Sequence, residues 1–561
     1  MLTIDIETTW MRHDEALPTF VVAGYAYDDQ PVRFTYDANE VRGLIDFARH
    51  GGHEIVMHRG AFETGVLGIR GLDWYDTAMI ATIAGAERGD PDVAGHSLLT
   101  LAQKAGYPKY AGKKTVQASF LPGMVMTHEQ IEYLTHDVQA TRAVAKWQKV
   151  HYPQVPDLGR QTRWSANVFA LGRRGLHIDL ERLAGLMAAS SGRLRGFAAG
   201  LRDAGIIQPR GPKKDPWRKS AVGQAEVQRL LQAAGVTEHT GDGGDGELLV
   251  RDSLTLRKTN DPKLRLLADY YREQKWLSLL EAYNVDGGVV RARYNSLVAT
   301  GRMSASSPNV QQVTKKGGLR ECWVPRPGHV LLEADYAMLE LYTFADTCAR
   351  WNIRSRLREA LNEGVDVHTL VAQRAGIDRQ LAKVFNYGGL GGMGAATMQA
   401  NIEKQLGIVM PVDDIRDAMD AWLEVWPEVR EYWQHNVASS RFMGWKVDPI
   451  TGMRKAQYKY LVTNPQSGRR RLAFYCAAQN FGFQGPGGDI IKRALELTDE
   501  AGVPAIAALH DQLIADVPLS QRKAAAVEMA RCMKQAGEEI CPNVRWPEVQ
   551  VHTYATRWAS K

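Results

Sequence analysis

HVLLEADYAMLELYTFAD, residues 329–346, reads as a strand that turns into a helix. Val330, Leu331 and Leu332 form a continuous apolar run, the pattern of a buried strand, and after Asp335 the residues Leu339, Tyr342 and Thr343 recur at helical spacing. Asp335 is thereby expected at a strand end, next to open space. Far along the chain, AIAALHDQLIADV (505–517) reads as two short strands around His510 and Asp511, a hairpin that holds Asp511 at its tip. Taken singly, each aspartate is an ordinary turn residue. Between them, DRQLAKVFNYGG (378–389) sets Arg379, Lys383 and Tyr387 at i, i+4 and i+8, on one helical face. A basic solvated helix has the same spacing. Two cations followed by an aromatic ring also suit a nucleoside triphosphate, with charge for the phosphates and a flat surface near sugar and base. The position of this helix between the two aspartates favours the second reading.

Working outward, residues 262–284 (PKLRLLADYYREQKWLSLLEAYN) form a long helical stretch with basic and aromatic residues interleaved, the texture of an element that lies along a phosphate backbone or of a solvated face. Before it, QPRGPKKDPWRKS (208–220) reads as an exposed basic loop, and TEHTGDGGDGE (237–247) as a flexible loop without EF-hand spacing. The segment from 160 to 205 has a helical pattern of Ala, Leu and Arg. HYPQVPDL (151–158), with Pro153 and Pro156, is a linker. Residues 1 to about 150 alternate strand-like runs (LTIDIE, FVVAGYAY, PVRFTY, EIVMH) with helix-like ones, which gives an α/β domain.

In LTIDIETT, Leu2, Ile4 and Ile6 alternate with Thr3, Asp5 and Glu7, so a strand would bury the apolar set and direct both carboxylates to the opposite face. Two adjacent acids repel unless a cation sits between them. Tyr133 and Asp137 stand four apart, on one face of a helix.

With 561 residues the chain is long enough for two or three domains, and 45% apolar and 24% charged residues are globular values. No run approaches the roughly 18–20 apolar residues of a membrane span, and the first ten residues lack the basic region and cleavage site of a secretory signal. A soluble cytoplasmic enzyme is expected. Five scattered cysteines without a CxxC pair argue for reduced thiols and against a thiolate zinc site. A net charge of +6 excludes little.

The central constellation resembles the family A DNA polymerases. TGRMSASSPNVQQ (300–312) is similar to that family's TGRLSSxxPNLQN, ADYAMLEL (334–341) to its DYSQIEL and DVHTL (366–370) to its DIHT. RxxxKxxNYG (379–388), QGPGGDIIKRA (484–494) and LHDQ (509–512) resemble RxxxKxxNFG, QGTAADIIKRA and VHDE, in family order. The resemblance implies that Asp335 and Asp511 bind two Mg2+ ions, with Mn2+ a possible substitute and the Tyr336 carbonyl completing one coordination sphere. It gives Lys383, Arg379 and His368 contacts to the triphosphate, with Lys383 donating a proton to pyrophosphate. Tyr387 then packs on the incoming sugar, and Glu340 excludes a ribose 2'-hydroxyl. Asn480, Gln484 and His510 line the primer terminus, while Thr300, Arg302, Asn309 and Gln311 hold the duplex. Departures from the pattern are Gly391 at a template-gating tyrosine, Cys476 at a duplex-contacting arginine, Gln512 after Asp511, and Ala337 and Met338. They imply altered fidelity or DNA grip and leave synthesis intact.

Asp5, Glu7, Glu63 and the Tyr133/Asp137 pair resemble the 3'-5' exonucleases of the DEDD type, which implies two divalent metals on Asp5, Glu7, Glu63 and Asp137, with Tyr133 placing the attacking water. Arg59 stands where that family has asparagine, and Asp76 either supports the ligands or is an alternative one. The expected fold is α/β: an RNase H-like exonuclease domain (1–152), then a right-hand polymerase domain (160–561). Within the latter the thumb covers 160–295, the palm and fingers 296–561 and the fingers about 350–440. The compact start implies that no 5'-nuclease domain is present and suits a phage-like replicative enzyme, a monomer in a bacterial or infected cell. Its expected partners are primer-template DNA, dNTPs and possible replisome proteins. A single-subunit RNA polymerase and a non-catalytic DNA-binding scaffold are the rival readings; Glu340 and the attached exonuclease argue against the first, retention of both palm aspartates against the second.

Overall fold

The computed structural model describes the whole chain except residues 11–14, 90–96, 108–113, 207–220, 237–255, 258, 439–440, 448–453 and 559–561. The basic segment at 208–220 and the acidic run at 237–247 therefore lie outside the described residues. Among the described residues no helix is long and apolar enough to cross a membrane, and all five cysteines are free thiols.

The first strand, Leu2–Thr8, lies in the middle of a five-stranded sheet between Phe20–Tyr27, its antiparallel neighbour, and Ile55–Met57, its parallel one. Arg33–Thr35 and Tyr75–Asp76 form the edges. The simple alternation expected for LTIDIET does not leave one face to water: Thr3 and Glu7 are buried along with the apolar set. Helix His128–His151 covers the polar face, and its start is fixed by a reciprocal cap in which Thr127 accepts from the Gln130 N–H while Gln130 accepts from the Thr127 N–H. That cap sets the phase that turns Asp137 toward the strand.

A second sheet, fully antiparallel, runs in the order Ala505–Leu509, Gln512–Pro518, His329–Asp335, Val551–Tyr554. Its register pairs Asp335 with Gln512, and the Tyr336 N–H donates to the Asp511 carbonyl at 3.1 Å, so the hairpin tip closes on the strand end. Helix Leu339–Arg350 follows and is buried along most of its length. Six helices from Arg356 to Val437 pack beside it, and the long helix Tyr475–Glu500 crosses behind.

The helical pattern expected over 160–205 is interrupted. Helix Leu158–Arg174 ends at Gly175, which takes φ +85, a conformation that costs glycine little, and Leu176–Ile178 becomes a strand between Val289–Val290 and Trp323–Val324. Trp164, Val168 and Leu171 of that first helix belong to the main core beneath the antiparallel sheet. The stretch from 160 to 295 is thus not uniformly helical, and its first helix is part of the central core. The 262–284 stretch does form one helix, Pro262–Glu281, capped by Asp261.

One buried ionic junction ties these parts together. Asp489 accepts from the Arg469 guanidinium at 2.5 Å and from Gln161 at 3.0 Å, and its carboxylate lies 3.1 Å from the Lys492 ammonium. Asp157, in the expected linker, accepts from Arg160 and Gln161 and lies 3.1 Å from Arg469. Lys492 also donates to the Gly301 carbonyl at 3.2 Å. The linker is therefore pinned by charge. Burial, against the pull of Asp489, lowers the Lys492 ammonium to about 8.

Removing one partner from such a junction strands buried charge. Asp489→Ala should lower the unfolding free energy of the larger unit by about 3–5 kcal/mol, measured by urea denaturation with tryptophan fluorescence; a loss under about 1 kcal/mol would show that the junction contributes no stability.

Candidate functional site

The strand end and the hairpin tip place Asp335, exposed, beside Asp511, partly buried. His510 makes the turn with φ +56, unusual for a residue with a side chain, and this strain sits directly before Asp511. Burial pushes the Asp511 carboxyl up against the opposing pull of His510, Arg302 and Lys315. Across a cavity of about 470 Å³ from this pair stand Arg379, Lys383 and Tyr387, together with Asp366 and His368. Helix Arg379–Leu390 presents its three residues at the expected spacing because Asp378 caps its first turn.

Arg379, Asp366 and His368 are each held by a specific partner. Arg379 donates through Nε to Asp366 at 3.0 Å and to Thr369 Oγ1 at 3.1 Å. Burial disfavours the Asp366 anion, but the Thr369 N–H and hydroxyl and the Arg379 guanidinium outweigh it and hold the carboxyl at about 2. Asn386 accepts indole N–H bonds from Trp422 at 2.8 Å and Trp426 at 3.1 Å, which orients its amide nitrogen toward His368 Nδ1 at 2.8 Å. The neutral imidazole must then carry its proton on Nε2. Burial and Arg379 lower His368 to about 4, so the ring stays neutral near pH 7.

An adjoining cavity of about 420 Å³ is lined by Arg302, Gln311, Glu340, Tyr387, His510 and Asp511, with Gly487 and Gly488 as its floor. Arg302 and Glu340 form an ion pair across it. A side chain at Gly488 would meet the Gly301 carbonyl at 2.6 Å, so glycine is required where helix Tyr475–Glu500 touches the 300–312 segment. A third cavity, about 680 Å³, lies between Asp335 and Asp511 on one side and Arg272, Lys275 and Trp276 of helix Pro262–Glu281 on the other.

The remaining expected residues stand apart from these walls. Asn309 accepts from the Gln311 N–H as the cap of a short turn, and the Thr300 carbonyl lies next to Gly485. Gln484 donates to Asn480 at 3.4 Å, and Asn480 occupies the space a side chain at Gly391 would need, 2.6 Å from its Cβ position. Gly391 ends helix Arg379–Leu390. Cys476 donates to the Gly392 carbonyl at 3.4 Å. Gln512 donates to the buried Glu333, whose other oxygen accepts from Trp558 at 2.9 Å. A glutamate at 512 would set a second carboxylate against the buried Glu333, so the departure there is matched to Glu333. Met338 takes φ +57 at the cap of the following helix, and nothing in the structure explains Ala337.

In the amino-terminal unit, ligand oxygens of Asp5, Glu7 and Asp137 lie within 4.8 Å of one another. Glu63 is buried beside them, and among the described residues its Oε2 accepts no hydrogen bond. Burial, and then the neighbouring Asp137, pushes Asp5 well up; burial followed by Asp5 does the same to Glu7 and Glu63. A dense, buried, all-oxygen set with an unsatisfied acceptor fits a hard divalent cation. Asp76 is arranged differently. It caps helix Thr77–Arg88 and accepts from the N–H groups of Arg59, Gly60, Ala78 and Met79 and from the Trp74 indole, which leaves it a structural role. Tyr133 stands one turn before Asp137, its ring 6.4 Å from that of Phe120.

Sequence reasoning missed Asp366, Asn386 and a three-stranded sheet, Arg441–Val447, Arg454–Thr463 and Arg470–Phe474. Asp366 opens the DVHTL motif and was available as a helix cap. The alternation of basic and aromatic residues in RKAQYKYLVT (454–463) was the signal for the sheet.

Comparison with known proteins is consistent across three approaches. The profile described as DNA polymerase family A matches residues 239–559. DNA polymerase I, thermostable, of Thermus aquaticus is 26% identical over 350 residues, 57% of this chain and 39% of the relative. DNA polymerase I of Rhizobium leguminosarum is 29% identical over 242 residues, 39% of this chain and 22% of the relative. The chain thus spans well under half the length of these relatives. A solved structure described as "POL domain of Pol1 from M. smegmatis complex with DNA primer-template and dNTP" has the same fold, with a TM-score of 0.70 at 19% identity over 100% of this chain and 95% of that one.

The raised carboxyls of Asp5, Glu7 and Glu63 carry a sign. Each holds its proton to higher pH in the folded state than in the unfolded one, so the cluster loses stability as pH rises from about 4 through the raised values. Asp5→Asn should raise the unfolding midpoint of the metal-free protein at pH 8, by about 1–2 kcal/mol in free energy, and leave it nearly unchanged at pH 4. Calorimetry with EDTA would test this, and added Mg2+ should stabilise wild type more than the variant.

Proposed function

The chain belongs to DNA polymerase family A, and from that footing we propose that it extends a primer 3' end with deoxynucleotides on a DNA template and edits the product with a 3'-5' exonuclease. The observation that carries this reading is the single cavity in which Asp335 and Asp511 face Lys383, Arg379, His368 and Tyr387. In this reading residues 1–152 are the editing unit and 160–561 the polymerase, with helix Pro262–Glu281 in the thumb and the helices from Arg356 to Val437 in the fingers. Its cavity wall of Arg272, Lys275 and Trp276, set opposite the aspartates, suits the backbone of a duplex.

Asp335, Asp511 and the Tyr336 carbonyl would hold divalent cations in the polymerase site, and Asp5, Glu7, Glu63 and Asp137 in the editing site. Bound there, two Mg2+ or Mn2+ ions would activate the attacking oxygen and stabilise the leaving one in phosphoryl transfer. The chain's own groups do the rest. Lys383 and Arg379 neutralise the triphosphate, and Lys383 is positioned to give a proton to the departing pyrophosphate. His368, fixed as an Nε2–H donor by Asn386, adds a hydrogen bond that does not depend on protonation above about pH 4. Tyr387 and Glu340 bound the sugar, the carboxylate blocking a 2'-hydroxyl.

A magnesium-dependent primer-extension assay tests the proposal. Wild type should extend with dNTPs; Asp335→Ala should lose at least about 10³-fold; Glu340→Ala should narrow the preference for dNTPs over rNTPs. Asp5→Ala should stop nucleotide release from a single-stranded 3' end while extension continues. Preferential use of rNTPs by wild type would point to an RNA polymerase instead. If six cations touch phosphates, binding should weaken on the order of 10³-fold between 50 and 200 mM salt.

A further inference from the structure

The three-stranded sheet Arg441–Val447, Arg454–Thr463, Arg470–Phe474 has no part in the two sites above. Residues 441–474 hold eight lysines and arginines against one acid, Asp448. The inner end of the sheet is pinned on both faces. Val462 and Ala473 pack against Ala478 and Phe481 of helix Tyr475–Glu500. On the other face Arg470 pairs with Glu87, and Leu472 lies against Gly89, next to helix Thr77–Arg88. The outer end projects away from this wedge and leaves large side chains in water: Phe442 is 48% exposed, Met443 68% and Tyr458 42%.

Register explains how those side chains are arranged. Arg441 pairs with Tyr460 and Met443 with Tyr458, so all four point to one face, and the Arg441 guanidinium lies over the Tyr458 ring at 4.3 Å. Tyr460 meets Tyr475 edge-on at 6.0 Å, and the Tyr475 ring touches Gly392, the turn that closes helix Arg379–Leu390. A line of rings, Tyr475, Tyr460 and Tyr458, with Arg441 beside the last, therefore runs outward from the end of the helix that carries Lys383 and Tyr387.

We propose that this face binds single-stranded DNA, the stretch of template lying beyond the active site. Rings offer stacking surfaces that every base can use, and the exposed Arg441 beside Tyr458 supplies a cation for a phosphate. Met443 and Tyr458 stand opposite each other in water on this face, an exposure that a partner would cover. A single strand fits better than duplex because its bases are free to stack on the tyrosines. The inference rests on the polymerase reading for the strand's identity, and its test separates the two.

The experiment compares the full chain with the variant Arg441→Gln/Tyr458→Ala on two primer-templates that share one duplex, one with a ten-nucleotide 5' template overhang and one with a single-nucleotide overhang. The variant should bind the long-overhang substrate about 10-fold more weakly, and the short-overhang substrate as wild type does. Tyr458→Phe should bind like wild type, because the ring is kept. Arg441→Gln alone should reduce the slope of affinity against salt by about one on the long overhang. Equal weakening on both substrates, or no change on either, overturns the proposal. If wild type fails to extend either substrate, the polymerase reading fails instead.

Discussion

Carboxylates brought together without an intervening cation repel, and both halves of this chain are built to hold such sets in place. In the larger half the restraint is sheet register: Asp335 pairs with Gln512, and the Tyr336 N–H donates to the Asp511 carbonyl. A slip by one residue would turn Asp335 to the other face of the sheet. In the smaller half it is a buried central strand under a helix whose cap fixes the phase of Asp137. The acids lie on rigid elements that cannot relax apart, so movement of the chain does not relieve their repulsion.

The same economy governs the wall opposite Asp335. Asn386 makes no contact with the cavity, yet two indole donors fix its amide and thereby fix the tautomer of His368. Asp366 serves at once as helix cap and as partner of Arg379. Such groups are satisfied by the protein itself, and the donors they orient are held in one arrangement. Elsewhere the junction of Asp489, Lys492, Arg469 and Asp157 joins the expected linker, the long helix and the segment bearing Arg302, through the bond from Lys492 to the Gly301 carbonyl.

Two departures from the family pattern, Gln512 and Gly391, are matched by their neighbours. Gln512 is the neutral partner of a buried glutamate, and the space next to Gly391 is filled by Asn480. Gly392 accommodates the ring of Tyr475, which begins the line leading onto the basic sheet. At Gln512 and Gly391 the substitution is explained by a side chain far away in sequence, so single motifs carried no sign of compensation.

The sequence by itself determined the strand-to-helix turn at Asp335, the hairpin at Asp511 and the cationic helix between them, because hydrophobic periodicity and turn residues act over a few positions. It also led to the candidate residues of both sites through motifs of fixed spacing. It did not reveal the break at Gly175, the burial of both faces of LTIDIET, the cap role of Asp76 or the sheet at 441–474. Burial of a strand's second face depends on which helix lands there, and a capping aspartate looks like a metal ligand until its donors are placed. Which charges meet is set by the packing of distant segments. Ion pairs such as Arg469 with Asp489, or Arg302 with Glu340, join residues whose separation in sequence bears no relation to their distance in space.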